Sequence, residues 1–275
     1  MPPDQPVHPS RVNVDQLDPA RARLLIQLFW TWKKELRTLK WFGLRDGMAI
    51  LELGSGPGFV TEQLLHAFPN STIVALEIEP AFLAWSQAYL QRQTSGRLQQ
   101  IEGSVMEIPL SDKSVDFVLG RYVFQHLQDP VGAAKEVVRV LKPGGKLVVA
   151  DMDAEIFGAL EPPIPSLPAI FQKYCNVRKI NWKIARQMPR IMRAVGLESI
   201  DLESIAFHSD DVGLDLLVRH FDPARFEFLV DQGRISGGEM LELRAAFERF
   251  TAAPDALSLK ILLMLCGSKP DLGQR

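Results

Sequence analysis

The stretch MAILELGSGPG carries the residue spacing that says most about chemistry. An apolar run leads through Glu52 to glycines at alternate positions, Gly54, Gly56 and Gly58. Only glycine lets a bound nucleoside touch the main chain, so a buried strand that ends in this turn indicates an adenosine-type ligand. A dinucleotide-binding loop, G-x-G-x-x-G, would place its third glycine at position 59, which is Phe59. The spacing therefore disfavours a nicotinamide-dependent oxidoreductase.

Two later segments extend this interpretation. The apolar run over residues 71–76 predicts a second strand that ends in Glu77, nineteen residues after Gly58. A carboxylate there can accept hydrogen bonds from both ribose hydroxyls of a nucleoside. The alternative is a solvated carboxylate at a strand end. A third predicted strand, residues 98–102, leads into GSVMEIPL, which contains Ser104.

The spacing E-x-G-x-G-x-G, Glu77, the segment GSVMEIPL and the later LKPGG follow one another in this order. Together they resemble the class I S-adenosylmethionine (SAM)-dependent methyltransferases over residues 45–151. Ser104 stands where that family's G-D-A-x-x-L-P-F segment commonly has an aspartate, and an uncharged hydroxyl would accept the adenine amino group more weakly. The resemblance implies SAM as cofactor, with S-adenosylhomocysteine (SAH) as product. The cofactor-binding residues that it implies are Glu52, Gly54, Ser55, Gly56, Gly58, Glu77, Ile78, Ser104, Val105 and Arg121.

Candidate catalytic residues follow the fourth and fifth predicted strands. Substrates of open α/β sheets bind beyond the carboxyl ends of the strands, where His126 and Asp151 are expected. A histidine has a suitable intrinsic pKa to remove a proton, and a carboxylate could orient it. We therefore expect His126 to be a general base, Asp151 its orienting partner or a second base, and Tyr122 a third catalytic candidate. Alternatively, His126 packs against or caps the helix that begins at Asp129.

Other side chains on this edge have two open interpretations each. Arg121 could contact the methionyl carboxylate of SAM or an anion of the substrate, or it could form a solvent-facing salt bridge. Tyr174, Arg178 and Trp182 could line an acceptor pocket or serve only in packing.

Helical and strand patterns alternate along the chain and predict the elements that position these residues. Asp18-Pro19 is typical of an N-cap followed by the first helical position. Strand, helix, strand order indicates crossover connections and a parallel sheet. Together with this pattern, the resemblance implies an α/β Rossmann-like sheet of seven strands, mostly parallel, with the last strand antiparallel. The expected domains are a loose arm and helical cap over residues 1–44 and a methyltransferase domain over residues 45–275, with a helical insertion at about 209–256.

The amino-acid composition limits the classes of partner and cofactor that the protein is expected to bind. The 31 basic and 33 acidic residues give a formal charge of −2, and no Lys/Arg-rich block suggests nucleic-acid binding. The two cysteines form no C-x-x-C, and no cluster has the spacing of metal ligands, so neither a disulfide framework nor a metal is expected. No apolar run reaches the length of a membrane span, and the N-terminus lacks a signal pattern. A cytoplasmic protein, with a homodimer as an open possibility, is the expectation.

The resemblance also implies a substrate class. The chain has GRYVFQH where nucleic-acid amino methyltransferases carry an aromatic-ended Pro-Pro motif, and neither cysteine follows a proline as in cytosine-C5 enzymes. We therefore expect methyl transfer to oxygen, nitrogen or carbon of a small, largely apolar metabolite, as in the natural-product and quinone-modifying branch. A SAM-binding relative that catalyses a cyclisation, or that serves as a scaffold, is the alternative.

Overall fold

The computed structural model describes residues 14–91, 96–156, 158–220 and 222–271, so most of the predicted N-terminal arm lies outside the described residues. The strands are β1 (Ala49–Leu53), β2 (Thr72–Glu77), β3 (Leu98–Glu102), β4 (Val115–Arg121), β5 (Leu141–Asp151), β6 (Gly158–Glu161), β7 (Glu198–His208) and β8 (Leu257–Ser268). The helices are α1 (Pro19–Trp41), α2 (Phe59–Ala67), α3 (Pro80–Leu90), α4 (Pro130–Val140), α5 (Leu167–Arg178), α6 (Ile184–Ala194), α7 (Ser209–Val212), α8 (Leu214–His220), α9 (Phe228–Asp231) and α10 (Gly237–Ala252). Short 3₁₀ turns cover Val14–Gln16, Phe124–His126 and Pro223–Phe226.

The strands form one mixed sheet in the order β3-β2-β1-β4-β5-β8-β6, with β7 paired to β8. The first five strands are mutually parallel, whereas β8 runs antiparallel to β5, β6 and β7. The predicted Rossmann-like class, mostly parallel with an antiparallel last strand, is therefore confirmed.

The sheet contains one strand more than predicted. Strand β6 lies within the proline-rich stretch 152–168, and it pairs with the first residues of β8. Gly158 has a φ of +144°, and a Cβ at this position would lie 1.8 Å from the carbonyl oxygen of Leu259. Only a glycine permits this close pairing, so the strand depends on a contact about 100 residues away that local periodicity does not reveal.

Helices cover both faces of the sheet because its central strands are apolar on both sides. Ile50, Phe117 and Val148 contribute to one face, against α1 and α2, while Leu51 and Val118 contribute to the other, against α4 and α6. A third hydrophobic cluster joins α5, the turn at 223–226, α9 and α10 into a helical layer. We call this layer the cap; it is distinct from the helical cap predicted within residues 1–44.

The predicted division at residue 44 stays a prediction. Asp18 does cap α1, accepting hydrogen bonds from the main-chain N–H groups of Ala20 and Arg21. Helix α1 then packs on the same core cluster as α2 and the sheet, with Leu25 and Leu28 buried. Helices α7 to α10 occupy the predicted helical stretch, and Ser236 and Glu239 form a capping box at the start of α10. None of the helices in the described residues has the length and apolar character that a bilayer span requires.

The topology places a crevice at the carboxyl end of β1. The chain leaves β1 for β2 on one side and returns on the other side as β4, so the connections diverge at this point. Ligands of open α/β sheets bind at such switch points. The residues that follow β1, β2 and β4 therefore meet at one edge.

Candidate active site

A cavity of about 520 Å³ opens at this edge of the sheet. Strand ends and the glycine loop form its floor, α1 forms one wall, and the cap forms the roof. Its lining includes most residues that the sequence predicts for the site: Glu52, Gly54, Ser55, Gly56, Glu77, Ile78, Ser104, Val105, Arg121, Tyr122 and His126. It also includes Arg23, Leu24, Gln27, Gln125, Tyr174, Ile180, Trp182 and Arg225.

The glycine loop is held against the end of β2 by Glu77. One carboxylate oxygen of Glu77 accepts the N–H of Gly56 at 2.6 Å, and the other accepts the N–H groups of Ile78 and Glu79 at 2.9 Å each. Gly54 has a φ of +58° and Gly56 a φ of +55°, in the left-handed region that other residues rarely adopt. The loop thus turns sharply and presents bare main chain to the cavity beside a buried carboxylate.

Glu52 lines the cavity, and its hydrogen bond ties β1 to α2. It is 3% exposed and accepts a hydrogen bond from the hydroxyl of Thr61 at 2.6 Å. Burial raises the pKa of Glu52 to about 8, and the nearby negative charge of Glu77 also raises it. The carboxyl is therefore largely protonated at neutral pH, and it stabilises the start of α2.

Gly58, the third glycine, does not line the cavity. Its φ is +82°, and a Cβ there would lie 2.3 Å from Oγ of Ser86 and 2.9 Å from Cδ1 of Leu90. Both contacts belong to α3. The structure therefore places Gly58 where α2 and α3 approach closely, rather than against a ligand.

Ile78, Ser104 and Val105 flank the cavity beyond Glu77. The hydroxyl of Ser104 accepts the main-chain N–H of Met106 at 3.1 Å. Val105 is 9% exposed, whereas Ile78 is 67% exposed at the rim. These three residues remain predicted contacts of the adenine end of the cofactor.

Arg121 lines the cavity, and its guanidinium donates hydrogen bonds to residues of α1. Its Nε donates to both carboxylate oxygens of Glu35, at 3.1 and 2.9 Å, and its Nη2 donates to Glu35 and to the carbonyl oxygen of Gln27 at 2.9 Å each. The side chains of Arg121 and Glu35 are 7% and 0% exposed. Arg121 therefore forms a salt bridge, as one of its two open interpretations had it, but the bridge is buried and does not face solvent. A direct contact of Arg121 with the cofactor stays a prediction.

His126 and Tyr122 lie together on the cavity wall after β4. Tyr122 has a φ of +56°, and the guanidinium of Arg121 lies 4.8 Å from the centre of its ring. Burial raises the pKa of the Tyr122 hydroxyl well above its usual value. The pKa of His126 is lowered, first because the surrounding protein partly removes the ring from water and then by the positive charge of Arg23. At neutral pH, His126 is therefore mostly the neutral imidazole that can accept a proton.

Asp151 does not contact His126 and, within the described residues, does not line the cavity. It is fully buried and accepts the main-chain N–H groups of Gln125 and Met152, at 3.2 and 3.1 Å. Burial raises the pKa of Asp151 to about 7. The expectation that Asp151 orients the imidazole is not met by this geometry, since Asp151 instead holds the main chain of the turn that carries His126.

Sequence reasoning missed five polar residues among those that line the cavity: Arg23, Gln27, Glu79, Gln125 and Arg225. Arg23 and Gln27 lie four residues apart on α1, so they share one helix face, and this spacing was an available signal. Gln125 adjoins the predicted base. Arg225 comes from the cap, whose placement over the sheet depends on tertiary packing.

Three residues that line the cavity each have a buried side-chain oxygen without a partner. Among the described residues, the side-chain carbonyl oxygens of Gln27 and Gln125 and the hydroxyl oxygen of Ser55 are buried and form no hydrogen bond. A buried acceptor without a partner is costly, so such atoms in a cavity indicate a ligand that brings N–H or O–H donors.

Comparisons with known proteins find similarity to methyltransferases. Residues 51–149 match the family model described as "Methyltransferase domain". An uncharacterized methyltransferase of Schizosaccharomyces pombe is 31% identical over 38% of this chain and 40% of its own. The demethylmenaquinone methyltransferase of Lactococcus lactis is 27% identical over 50% of this chain and 52% of its own. The chain thus spans about half the length of these curated relatives.

Solved structures share the fold at low sequence identity. Phosphoethanolamine N-methyltransferase 2 of Haemonchus contortus, solved in complex with SAM, has a TM-score of 0.61 and 18% identity over 98% of this chain and 61% of its own. The [4+2]-cyclase SpnF has a TM-score of 0.54 and 18% identity over 93% of this chain and 86% of its own.

Proposed function

We propose that the protein transfers the methyl group of SAM to a small, largely apolar metabolite, from the premise that residues 51–149, which match the family model "Methyltransferase domain", form a class I SAM-dependent methyltransferase domain. The accepting atom is an oxygen, nitrogen or carbon. One observation carries the proposal: a single cavity contains both the glycine loop beside the Glu77 carboxylate and the neutral imidazole of His126.

The residues present fit SAM. Glu77 offers a buried carboxylate for the two ribose hydroxyls, and Gly54 and Gly56 line the cavity without side chains of their own. The unpartnered oxygens of Gln27 and Gln125 suit the ammonium and hydroxyl donors that SAM also carries. Ser104 and Val105 complete the set at the adenine end.

The chemistry of the reaction is divided between cofactor and protein. When bound, SAM supplies a methyl group that its positively charged sulfur makes electrophilic. The cavity walls must hold the acceptor atom in line with that methyl group, and positioning of this kind lowers a barrier by up to roughly 7–11 kcal/mol. Apolar lining residues such as Leu24, Phe82 and Trp182 exclude competing water.

His126 removes the proton that a hydroxyl or amine acceptor must lose. Its ring lies in the cavity wall, and the lowered pKa keeps it unprotonated at neutral pH. A positioned base accelerates such a step by typically 10²–10⁴-fold. Asp151 contributes indirectly, because it anchors the N–H of the neighbouring Gln125.

A cyclase or scaffold function has weaker support. The structural neighbour SpnF shows only that the fold is shared, since its sequence identity is 18%. The presence of His126 in the cavity favours proton removal and therefore transfer.

The test is transfer of label from methyl-labelled SAM. The protein is incubated with a metabolite extract, and labelled products and SAH are measured by mass spectrometry. We expect labelled product with the wild-type protein and its loss with His126→Ala. SAH binding without any transfer would favour the cyclase or scaffold function, and calorimetric binding of NADH instead of SAM would exclude the proposal.

We further propose a cytoplasmic location. Its support is that Cys175 and Cys266 are both buried free thiols, as expected in a reducing compartment. The homodimer stays a prediction.

A further inference from the structure

Resting on the proposed function, we propose that helix α1 recognises the amino-acid end of the cofactor, with Arg23 binding its carboxylate and Gln27 its ammonium group. Arg23 thereby takes the role that the resemblance leaves open for Arg121. SAM and SAH carry both charged groups on one carbon atom, so a single helix face can contact the two together.

Helix α1 lies directly against the glycine loop. A Cβ at Gly56 would lie 3.8 Å from Cδ1 of Leu24, which is ordinary van der Waals contact. Arg23 and Gln27 line the same cavity as this loop. Because they are four residues apart, their side chains share one face of the helix, one turn from each other. This face therefore borders the part of the cavity that the glycine loop forms.

Gln27 supplies an acceptor that the protein itself leaves unused. Its side chain is 8% exposed, and its side-chain carbonyl oxygen forms no hydrogen bond among the described residues. The hydroxyl oxygen of Ser55, in the glycine loop, is likewise buried and has no partner there. A buried acceptor is costly unless a ligand brings a donor. An ammonium group has three N–H donors, so it can satisfy both oxygens.

Arg23 supplies a positive charge without a counter-ion. In the part of the chain that the structure describes, its guanidinium forms no ion pair and no hydrogen bond. Burial is the largest influence on the pKa of Arg23 and lowers it, because the side chain is partly removed from water. A carboxylate would compensate this charge, and it matches the planar guanidinium in a bidentate manner.

The two other arginines that line the cavity are placed differently. Arg121 donates to both carboxylate oxygens of Glu35, so its charge is already neutralised. Arg225 belongs to the cap turn at 223–226, and its guanidinium lies 4.7 Å from the ring centre of Tyr174. Among the described lining residues, Arg23 is therefore the arginine that combines an unpaired charge with a position on the helix that contacts the glycine loop.

Calorimetry with three ligands tests this assignment without any turnover. The ligands are SAH, decarboxylated SAH, which keeps the amine, and deaminated SAH, which keeps the carboxylate. We expect the wild-type protein to bind SAH about tenfold more tightly than either analogue, because each analogue lacks one charged group that forms hydrogen bonds.

Two variants of α1 separate the two contacts. Arg23→Gln should lose the preference for SAH over decarboxylated SAH and keep the preference over deaminated SAH. Gln27→Met, which has a similar volume but no amide, should show the reverse pattern. The main-chain carbonyl of Gln27, which accepts from Arg121, is retained in that variant. Arg23→Lys keeps the charge and should keep part of the preference for the carboxylate.

Two further arginine variants are the controls. Arg37→Gln changes an exposed arginine of α1 outside the cavity and should keep both preferences. Arg225→Gln removes the charge that the cap contributes to the cavity, and it should also keep both preferences. Thermal unfolding checks that each variant is folded.

Equal binding of SAH and decarboxylated SAH by the wild-type protein would overturn the inference. A carboxylate preference that survives in folded Arg23→Gln, or that is lost in Arg225→Gln instead, would overturn it as well. Failure of SAH to bind the wild-type protein at all would contradict the proposed function and the inference together. The expected preferences without methyl transfer to any acceptor would contradict the proposed function alone.

Discussion

Arg121 at the end of β4 and Glu35 in the middle of α1 form a buried ion pair, although 86 residues separate them in the chain. The pair fixes α1 over the carboxyl edge of the sheet, and it therefore places the α1 wall of the cavity. Thr31 adds a further acceptor for the guanidinium at 3.2 Å.

Glu35→Gln should destabilise the protein strongly. The substitution leaves the guanidinium of Arg121 buried without a negative charge, and loss of one partner of a buried pair costs about 3–5 kcal/mol. Urea unfolding gives the free energy of unfolding for comparison with wild type. Asp112→Asn is the control, because Asp112 pairs with Arg139 at the surface and its loss should cost at most about 1 kcal/mol. Equal costs for the two variants would contradict the anchoring role of Glu35.

Glu77→Ala should weaken SAH binding by at least tenfold. The carboxylate is expected to accept two ribose hydroxyls, and a hydrogen bond to a charged group contributes about 1.5–3 kcal/mol. Calorimetry measures the Kd, and thermal unfolding checks the glycine loop, since Glu77 also accepts the N–H of Gly56.

The matched control is Glu102→Gln. Glu102 ends β3 beside Glu77 in the parallel register and is exposed outside the main cavity. The control should bind SAH as wild type does. Unchanged affinity in a folded Glu77→Ala protein would remove Glu77 from the cofactor site.

Gly58→Ala should destabilise the protein more than Gly47→Ala. Both glycines have a left-handed φ, +82° and +88°, so both substitutions carry a backbone cost of about 1–2 kcal/mol. A Cβ at Gly47 meets nothing within 4 Å, whereas at Gly58 it would lie 2.3 Å from Oγ of Ser86. Urea unfolding of the two variants therefore isolates the helix contact, and equal destabilisation would show that α2 and α3 need no close approach.

Local patterns predict the parts of the site that lie close together in sequence. The turn at Gly54 and Gly56, the strand end at Glu77 and the base candidate His126 each follow an apolar strand, and the sheet topology brings strand ends to one edge. Periodicity and a few turn residues were therefore sufficient for these positions, whereas the antiparallel last strand of the fold was implied by the resemblance to the methyltransferase family.

The remaining features depend on contacts between distant segments. Strand β6 exists because Gly158 can approach β8, and Arg121 is neutralised because α1 lies over β4. Arg225 reaches the cavity through the packing of the cap. No local pattern encodes such contacts, so the acceptor side of the cavity was predictable only in its general position.

Glu52→Gln should flatten the pH dependence of stability. The pKa of Glu52 is raised from 4.5 to about 8, so between these values the folded protein binds more protons than the unfolded chain. The free energy of unfolding of the wild-type protein should therefore fall as the pH rises through this range. A glutamine keeps an oxygen that can accept from Thr61 but does not ionise.

Urea unfolding at pH 5, 6, 7 and 8 measures this slope. Asp151, whose pKa is raised to about 7, contributes in the same direction, so the variant should retain a smaller slope. An unchanged slope in Glu52→Gln would mean that Glu52 ionises in the folded protein as it does in the unfolded chain.

His126→Ala should lower turnover by roughly 10²–10⁴-fold and leave SAH affinity nearly unchanged, because the imidazole acts on the acceptor proton. His66→Ala, an exposed histidine of α2, is the control and should keep full activity. The pKa of His126 is lowered from 6.5, so the neutral base persists below that pH and activity should fall only under more acidic conditions. In Arg23→Gln one cause of the lowered pKa is absent, so the acid limb of the kcat profile should move to higher pH. An acid limb that does not move, together with full activity of His126→Ala, would eliminate His126 as the base.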